Sequence, residues 1–593
     1  MVVLIAYHPA LSIGFWTDDY AFVDVAGRFS LWNNIVFYFD PLHQSHWYRP
    51  AQGMAWWISY NLFRGDATWY RLVQILIHIA NALLLFALIT RVTRRWRLAF
   101  LAALVYAILP VYALAVYWPA VADPLASLFY LLTLWLWIDY LQRGGAWRYA
   151  LTWLAFVVAL FSKETNATLL IVMGLADLWL VGKPSRLADL LKRYALFALP
   201  LPAYALAEFS VLTQSVFTTQ LGYGVGGNLV SPLIHHLSVL AFPWGIDPPW
   251  NYLFLVALLG LLAYALRRRA WRVAFVGVAA LLAVLPVLPF PVGLAQAARC
   301  LYLPLMASSI LIAWLINEGI LLLAGRAGRW IFWVGACAIA FLVLQSIAAI
   351  SEGAFNFAGA ARVARLQFRP IYDKHPAFPP DTFLYFINPP LDTPYINGIM
   401  LLRYGPNVTA YGTDRDHIAP LRERNLSIVY YQDDHKNWRE QTVDKTAIAR
   451  ATPRQPVQFE KSISLVDFEV ANPKIKRGDS IFLVLYWRSA QKIERDYAVF
   501  VHLVDAQGQM MAGFDSPPRQ GSAPTNHWRP DELIPDGRII PIDAGVPPGE
   551  YQITVGLYDP ATMQRLSVLD ANGAPISDKV VIAPITVEDQ VVQ

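Results

Sequence analysis

Cysteine is almost absent from this sequence. Cys300 and Cys337 are the two in 593 residues, and both lie in apolar runs. That excludes a disulfide framework and a cysteine metal site. Charge is also scarce. Charged residues make up 15% of the chain, against about 25% in an ordinary soluble domain. The net charge of +5 makes no case for a nucleic-acid partner. The N-terminus, MVVLIAYHPALSIGF, lacks a basic leader and a small-residue cleavage site, so it does not read as a signal peptide. It is also short. Fourteen residues of helix span roughly 21 Å against about 30 Å of hydrocarbon, so either the bilayer thins locally or the true start lies upstream of Met1, and the second is the expectation. Internal repeats and low-complexity tracts are lacking as well.

What is abundant is apolar sequence. Hydrophobic residues are 56% of the chain and the mean hydropathy is +0.40. Apolar runs near 1–14, 71–90, 98–117, 124–141, 149–161, 165–181, 194–213, 250–266, 273–290, 300–318 and 330–350 predict about eleven transmembrane helices. After the first, 149–161 is the shortest. The stretches 51–63 and 233–244 are too short or interrupted to cross and read as interfacial. Loops 91–97, 142–148, 182–193, 267–272 and 326–329 are rich in Lys and Arg. The alternate loops hold only Lys163 and Arg299. The positive-inside rule then predicts a cytoplasmic N-terminus, an outer loop over 15–70, and everything after 350 outside.

Beyond residue 351 no run is long enough to span. Residues 351–454 alternate short apolar strands with polar, proline-rich connections and read as a small α/β domain. From 455 to 593 the alternation is of strands and turns, as in a β-sandwich. The fold class is thus a polytopic α-helical membrane protein over 1–350 with an extracytoplasmic α/β plus β-sandwich tail. The tail has no nucleophile elbow, phosphate loop or metal motif. Trp438, Trp487 and Trp528 suit sugar stacking if exposed, and Trp487 reads better as core.

Candidate chemistry gathers on the outer side. Asp18 and Asp19 open a large loop just past the first apolar run. A carboxylate there can take the proton of an attacking hydroxyl, and a second can orient it. The alternative is that both begin an interfacial helix after Thr17. Asp123, before Pro124, reads as a helix cap or as a third outer acid. Lys163 stands beside Glu164, either as a self-neutralised pair or as a phosphate ligand. Arg299 and Tyr302 open another run, where snorkelling and aromatic-belt roles compete with substrate contact. Arg71, Gln74, His78 and Asn81 share one helix face, as inter-helix packing or as a cavity lining. Glu208 is a carboxylate inside a span. His43 and His46 give no full metal-ligand set, so a divalent metal stays open and no cofactor is implied.

In these residues the chain resembles the GT-C superfamily of polyprenyl-phosphate-sugar-dependent glycosyltransferases, including protein O-mannosyltransferases and aminoarabinose transferases. The resemblance rests on Asp18-Asp19, Tyr48-Arg49-Pro50, the His78 and Asn81 helix, Asp123, Ser162-Lys163-Glu164 and the Arg299 to Tyr302 segment, over roughly residues 1–350. It implies an inverting transfer at the outer face, from a polyprenyl-phosphate sugar to a protein, lipid or glycan hydroxyl. One of Asp18 and Asp19 is then the base. Lys163 and Arg299 hold the donor phosphate. Arg49, His78, Asp123, Glu164 and Tyr302 contact substrate. The protein O-mannosyltransferases carry Asp-Glu where this chain has Asp-Asp, which leaves the acceptor open. Residues alone also admit a flippase for a lipid-linked glycan, or a non-catalytic sugar-binding membrane protein.

Overall fold

The computed structural model describes residues 1–44, 47–181, 187–214, 230–241, 243, 250–267, 269, 271–288, 300–327, 329–414, 417–432, 435–442, 456–460 and 462–589. The chain forms two compact units, Met1–Ala364 and Arg365–Gln593.

The first unit is helical. A short helix α1 (Val2–Tyr7) runs into a 3-10 turn, His8–Ser12. The segment beyond it holds three short helices, α2 (Asp18–Arg28), α3 (Leu31–Phe39) and α4 (Pro50–Phe63). Pro50 suits the first turn of α4, where its missing N–H costs nothing. Gly53 in α4 is a close approach: a Cβ there would meet the Tyr38 ring at 2.2 Å, so α3 and α4 pack only without a side chain at 53.

Next come α5 (Ala67–Thr93), α6 (Trp96–Ile108), α7 (Ala113–Tyr117), α8 (Asp123–Arg143) and α9 (Ala146–Ser162). Asp66 caps α5 by accepting the Thr68 N–H at 3.0 Å. The run 98–117 reads as one span but bends by 51° between α6 and α7. Pro110 lies at the break, where it removes a helical hydrogen bond and crowds the preceding turn. Gly144 and Gly145, both at positive φ, make the reversal between α8 and α9. Helices α10 (Leu169–Ala176), α11 (Leu187–Ala198) and α12 (Pro200–Gln214) follow. Later helices include Trp250–Arg267, Trp271–Val284, Pro304–Ala327 and Arg329–Leu366. The last of these continues well beyond the apolar run ending at 350.

Among the described residues, Ala67–Thr93, Asp123–Arg143, Lys192–Thr213 and Trp333–Val363 are long and apolar enough to cross a membrane, with a fifth where the bent pair is taken as one span. Shorter apolar helices include Val2–Ser12, Ala146–Ser162 and Pro304–Glu318. The unit is therefore a membrane-type helical assembly.

The second unit is rich in strands. Strands β1 (Thr382–Phe386), β2 (Val408–Tyr411), β3 (Leu426–Gln432) and β4 (Trp438–Thr442) form a sheet in the order β2-β1-β3-β4. Its first three strands are parallel and β4 is antiparallel. Two further sheets, of five and six strands, follow from Val457 to Glu588. Inward residues of both, such as Leu485, Trp487, Val501 and Ile553, share one core. Trp487 and Trp528 are buried there, so neither presents a stacking face.

Candidate active site

Asp18 and Asp19 fall in the first turn of α2, where carboxylates suit the helix dipole. Thr17, just before them, sits at φ 37°, a strained region for a β-branched residue. Asp19 is wholly buried. It accepts the Trp16 N–H at 3.1 Å and the Ala120 N–H at 3.0 Å. Arg71, also wholly buried, places Nη1 3.6 Å from it. Burial lifts the Asp19 carboxyl from 3.8 to about 7, against the pull of Arg71 and the two backbone N–H groups. Asp18 is half-buried. The pair therefore begins a helix, and Asp19 is also tied to the Ala120 backbone.

The loop from Trp118 to Ala122 is gripped from several sides. Gln74 donates to the carbonyls of Pro119 and Val121 at 3.1 and 3.3 Å. Gln52 donates to the Ala120 carbonyl. The polar stripe of α5 is thus a scaffold. Arg71 reaches Gly14 and Asp19, Gln74 reaches this loop, and Asn81 donates to the Pro124 carbonyl at 2.9 Å.

Asp123 does not cap its helix; its side chain turns to Lys163. Nζ donates to Oδ1 at 2.6 Å, and both residues are buried. The neighbouring Glu164 is gripped by Arg49, whose Nε and Nη2 donate to its two oxygens at 3.0 and 2.9 Å. Burial works to raise the Glu164 carboxyl, but Arg49 and then Lys163 overcome it and hold it below its ordinary value. Arg49 in turn feels Asp123 and Glu208. Glu208, on α12, accepts the Tyr48 N–H at 3.1 Å. Three carboxylates and two cations so form one connected set.

His78 and Tyr302 lie apart from solvent, both wholly buried. His78 Nδ1 is 2.6 Å from the Tyr302 hydroxyl and 3.1 Å from that of Tyr106. Tyr106 donates to Tyr302 at 2.5 Å, and Asn81 reaches the same hydroxyl at 3.4 Å. Rings of Tyr7 and Tyr112 pack against His78. Arg299 and His46 lie outside the described residues. His43 pairs with Asp40 at 3.0 Å, and the described residues contain no cluster of three metal-ligating side chains.

The sequence brought Asp18, Asp19, Asp123, Lys163 and Glu164 forward. It did not signal Gln52 or Tyr106, which no motif marks. Arg71 was visible only as one member of the polar stripe.

Residues 50–212 match the family model for dolichyl-phosphate-mannose-protein mannosyltransferases. The resemblance to polyprenyl-phosphate-sugar glycosyltransferases therefore stands over this segment, which includes His78, Asp123, Lys163, Glu164 and Glu208. Asp18, Asp19, Arg49 and Tyr302 lie outside it. Among solved structures, the chain is similar to ArnT from Cupriavidus metallidurans in the apo state, at 13% identity and a TM-score of 0.42, covering 73% of this chain and 91% of that one. It is similar to the same protein bound to undecaprenyl phosphate at 13% identity and a TM-score of 0.43, covering 73% and 92%. No match is found among curated proteins.

Proposed function

We propose that the chain is an inverting, membrane-embedded glycosyltransferase that uses a polyprenyl-phosphate sugar as donor. The acceptor hydroxyl attacks the anomeric carbon, the bond from that carbon to the phosphate oxygen breaks, and polyprenyl phosphate leaves. Asp18 takes the hydroxyl proton. The observation that carries this assignment is the unequal burial of the acidic pair. Asp19 is sealed and committed to Trp16, Ala120 and Arg71, whereas the half-buried Asp18 beside it stays within reach of an acceptor. Asp19 is then a positioning residue that ties α2 to the Trp118–Ala122 loop.

Lys163 and Arg299 serve the donor phosphate in this reading. An ammonium has three donors, and Asp123 takes one of those on Lys163. Arg49 and Glu164 shape the site between them, with His78 and Tyr302 behind it. The family match over 50–212 supports a glycosyl donor carried on a lipid phosphate. The proposed topology has eleven spans in a bacterial-type plasma membrane, with the N-terminus cytoplasmic. The division is 1–350, 351–454 and 455–593, with the 15–70 loop and both tail domains outside. Its support is the alternation of basic loops.

The test is sugar transfer in proteoliposomes. Purified protein is offered a panel of polyprenyl-phosphate sugars and release of polyprenyl phosphate is followed. Wild type should turn over, and Asp18→Asn should lose nearly all turnover while keeping its thermal transition. Turnover indifferent to Asp18→Asn would overturn the assignment of the base. No turnover with any donor, together with movement of lipid-linked sugar across the bilayer, would replace the enzyme with a flippase.

A further inference from the structure

Glu208 is the carboxylate that the scheme above leaves unused. It is 8% exposed, on a helix apolar enough to cross a membrane. Its Oε2 accepts the Tyr48 N–H. Its Oε1 accepts no backbone N–H, and the side chain beside it is the buried Tyr204 hydroxyl, one turn earlier on α12. A buried carboxylate held by one N–H and one phenol still has lone pairs to spare, and a buried acceptor left short costs about 1–3 kcal/mol. The cost is larger for a carboxylate, which apolar surroundings disfavour strongly.

The charge balance of the neighbourhood points the same way. Lys163 is matched by Asp123 at 2.6 Å and Arg49 by Glu164 at 2.9 Å. Among the described residues each cation already holds one carboxylate, and Glu208, facing Arg49 and Glu164, is the acid in excess. The Glu208 carboxylate itself takes hydrogen-bond donors. The rings of Tyr48, Phe161 and Tyr204 pack on one another, with centroids 5.8 to 6.1 Å apart, so the polar groups of Tyr48 and Tyr204 rather than their faces are what meets Glu208. A carboxylate and a phenol hydroxyl together suit a sugar, whose hydroxyls both donate and accept.

We infer that Glu208 and Tyr204 form the subsite that recognises the sugar of the lipid-linked donor. This deepens the proposed function and rests on it. The donor sugar is favoured over the acceptor because Glu208 lies on a membrane helix, and the donor is the substrate anchored in the bilayer. Fully ionised polyprenyl phosphate has no hydroxyl for Glu208 to accept from, so above the second phosphate ionisation the subsite reads the sugar alone.

The test is equilibrium binding in nanodiscs of bare polyprenyl phosphate, and of the polyprenyl-phosphate sugar that wild type binds most tightly from a panel of hexose and pentose forms. Glu208→Gln keeps an acceptor for the Tyr48 N–H while removing the charge. It should weaken the sugar-bearing lipid about tenfold or more, as expected for a hydrogen bond to a charged group, and leave bare polyprenyl phosphate within about twofold. Tyr204→Phe keeps the ring and should give a smaller loss of the same selectivity. Binding of the bare lipid serves as the fold control. Equal weakening of both lipids, or no change in either, would overturn the subsite while leaving the donor class standing. Loss confined to a soluble sugar acceptor would move the subsite to the acceptor side and overturn the inference. If wild type binds neither lipid, the proposed function fails and the subsite fails with it.

Discussion

Replacing Asp19 with Asn should change how stability depends on pH, and the size of the change follows from the burial of that carboxylate. In the folded protein burial lifts Asp19 from 3.8 to about 7. The folded chain therefore keeps the proton over a window in which the unfolded chain has already lost it. Where the folded state binds more protons, raising the pH destabilises it. Each pH unit between these values corresponds to 1.36 kcal/mol, so wild type loses roughly 4 kcal/mol from this group between about pH 4 and pH 7. Asn has no proton to lose. At pH 4 the variant should be the less stable protein. Its single amide oxygen satisfies one of the Trp16 and Ala120 N–H groups and leaves the other facing an amide nitrogen, at a cost of about 1–3 kcal/mol. As the pH rises to 8 the two should converge or cross. The assay is the thermal transition in detergent micelles, followed by tryptophan fluorescence at a fixed scan rate from pH 4 to 8. The difference between wild type and variant isolates Asp19 from every other titrating group. Parallel curves across the window would refute the reasoning.

Two further outcomes follow from the buried networks. Lys163→Met and Asp123→Asn should each cost about 3–5 kcal/mol, because either strands a buried partner. The double variant should cost less than the sum by roughly 3 kcal/mol; additivity within about 0.5 kcal/mol in a thermal double-mutant cycle would show that the pair is not coupled. Tyr302→Phe removes the hydroxyl shared by His78, Tyr106 and Asn81, and should lower the transition by the equivalent of about 1–3 kcal/mol. Turnover that falls with an unchanged transition would instead make Tyr302 a substrate contact.

Some of this was written in the chain and some was not. The period of α5 put Arg71, Gln74, His78 and Asn81 on one face, because helical spacing alone decides which side chains share a side. What that face does was not legible. Its partners are backbone carbonyls at Gly14, Pro119, Val121 and Pro124, and carbonyls carry no sequence signature. Lys163 was visible as a cation that broke the charge pattern of its loops. That it is already paired with Asp123, 40 residues away, was not. The bend at Pro110 could have been read from proline chemistry, yet hydropathy alone merges the two halves into one run.

Composition and periodicity by themselves determined that the chain is a membrane-type helical protein with a strand-rich tail. Apolar length and alternation are local properties, and each segment states its own. The sequence also placed two acids together as a candidate base. Only the tertiary structure separated them, because burial is set by what packs from elsewhere. Arg71 and the Ala120 N–H close over Asp19, and neither neighbours it in sequence. The same holds for Arg49 and Glu164, 115 residues apart, and for Tyr48 and Glu208, 160 apart. Charge and spacing are legible along a chain; which charges meet, and which one is left over, is decided in three dimensions.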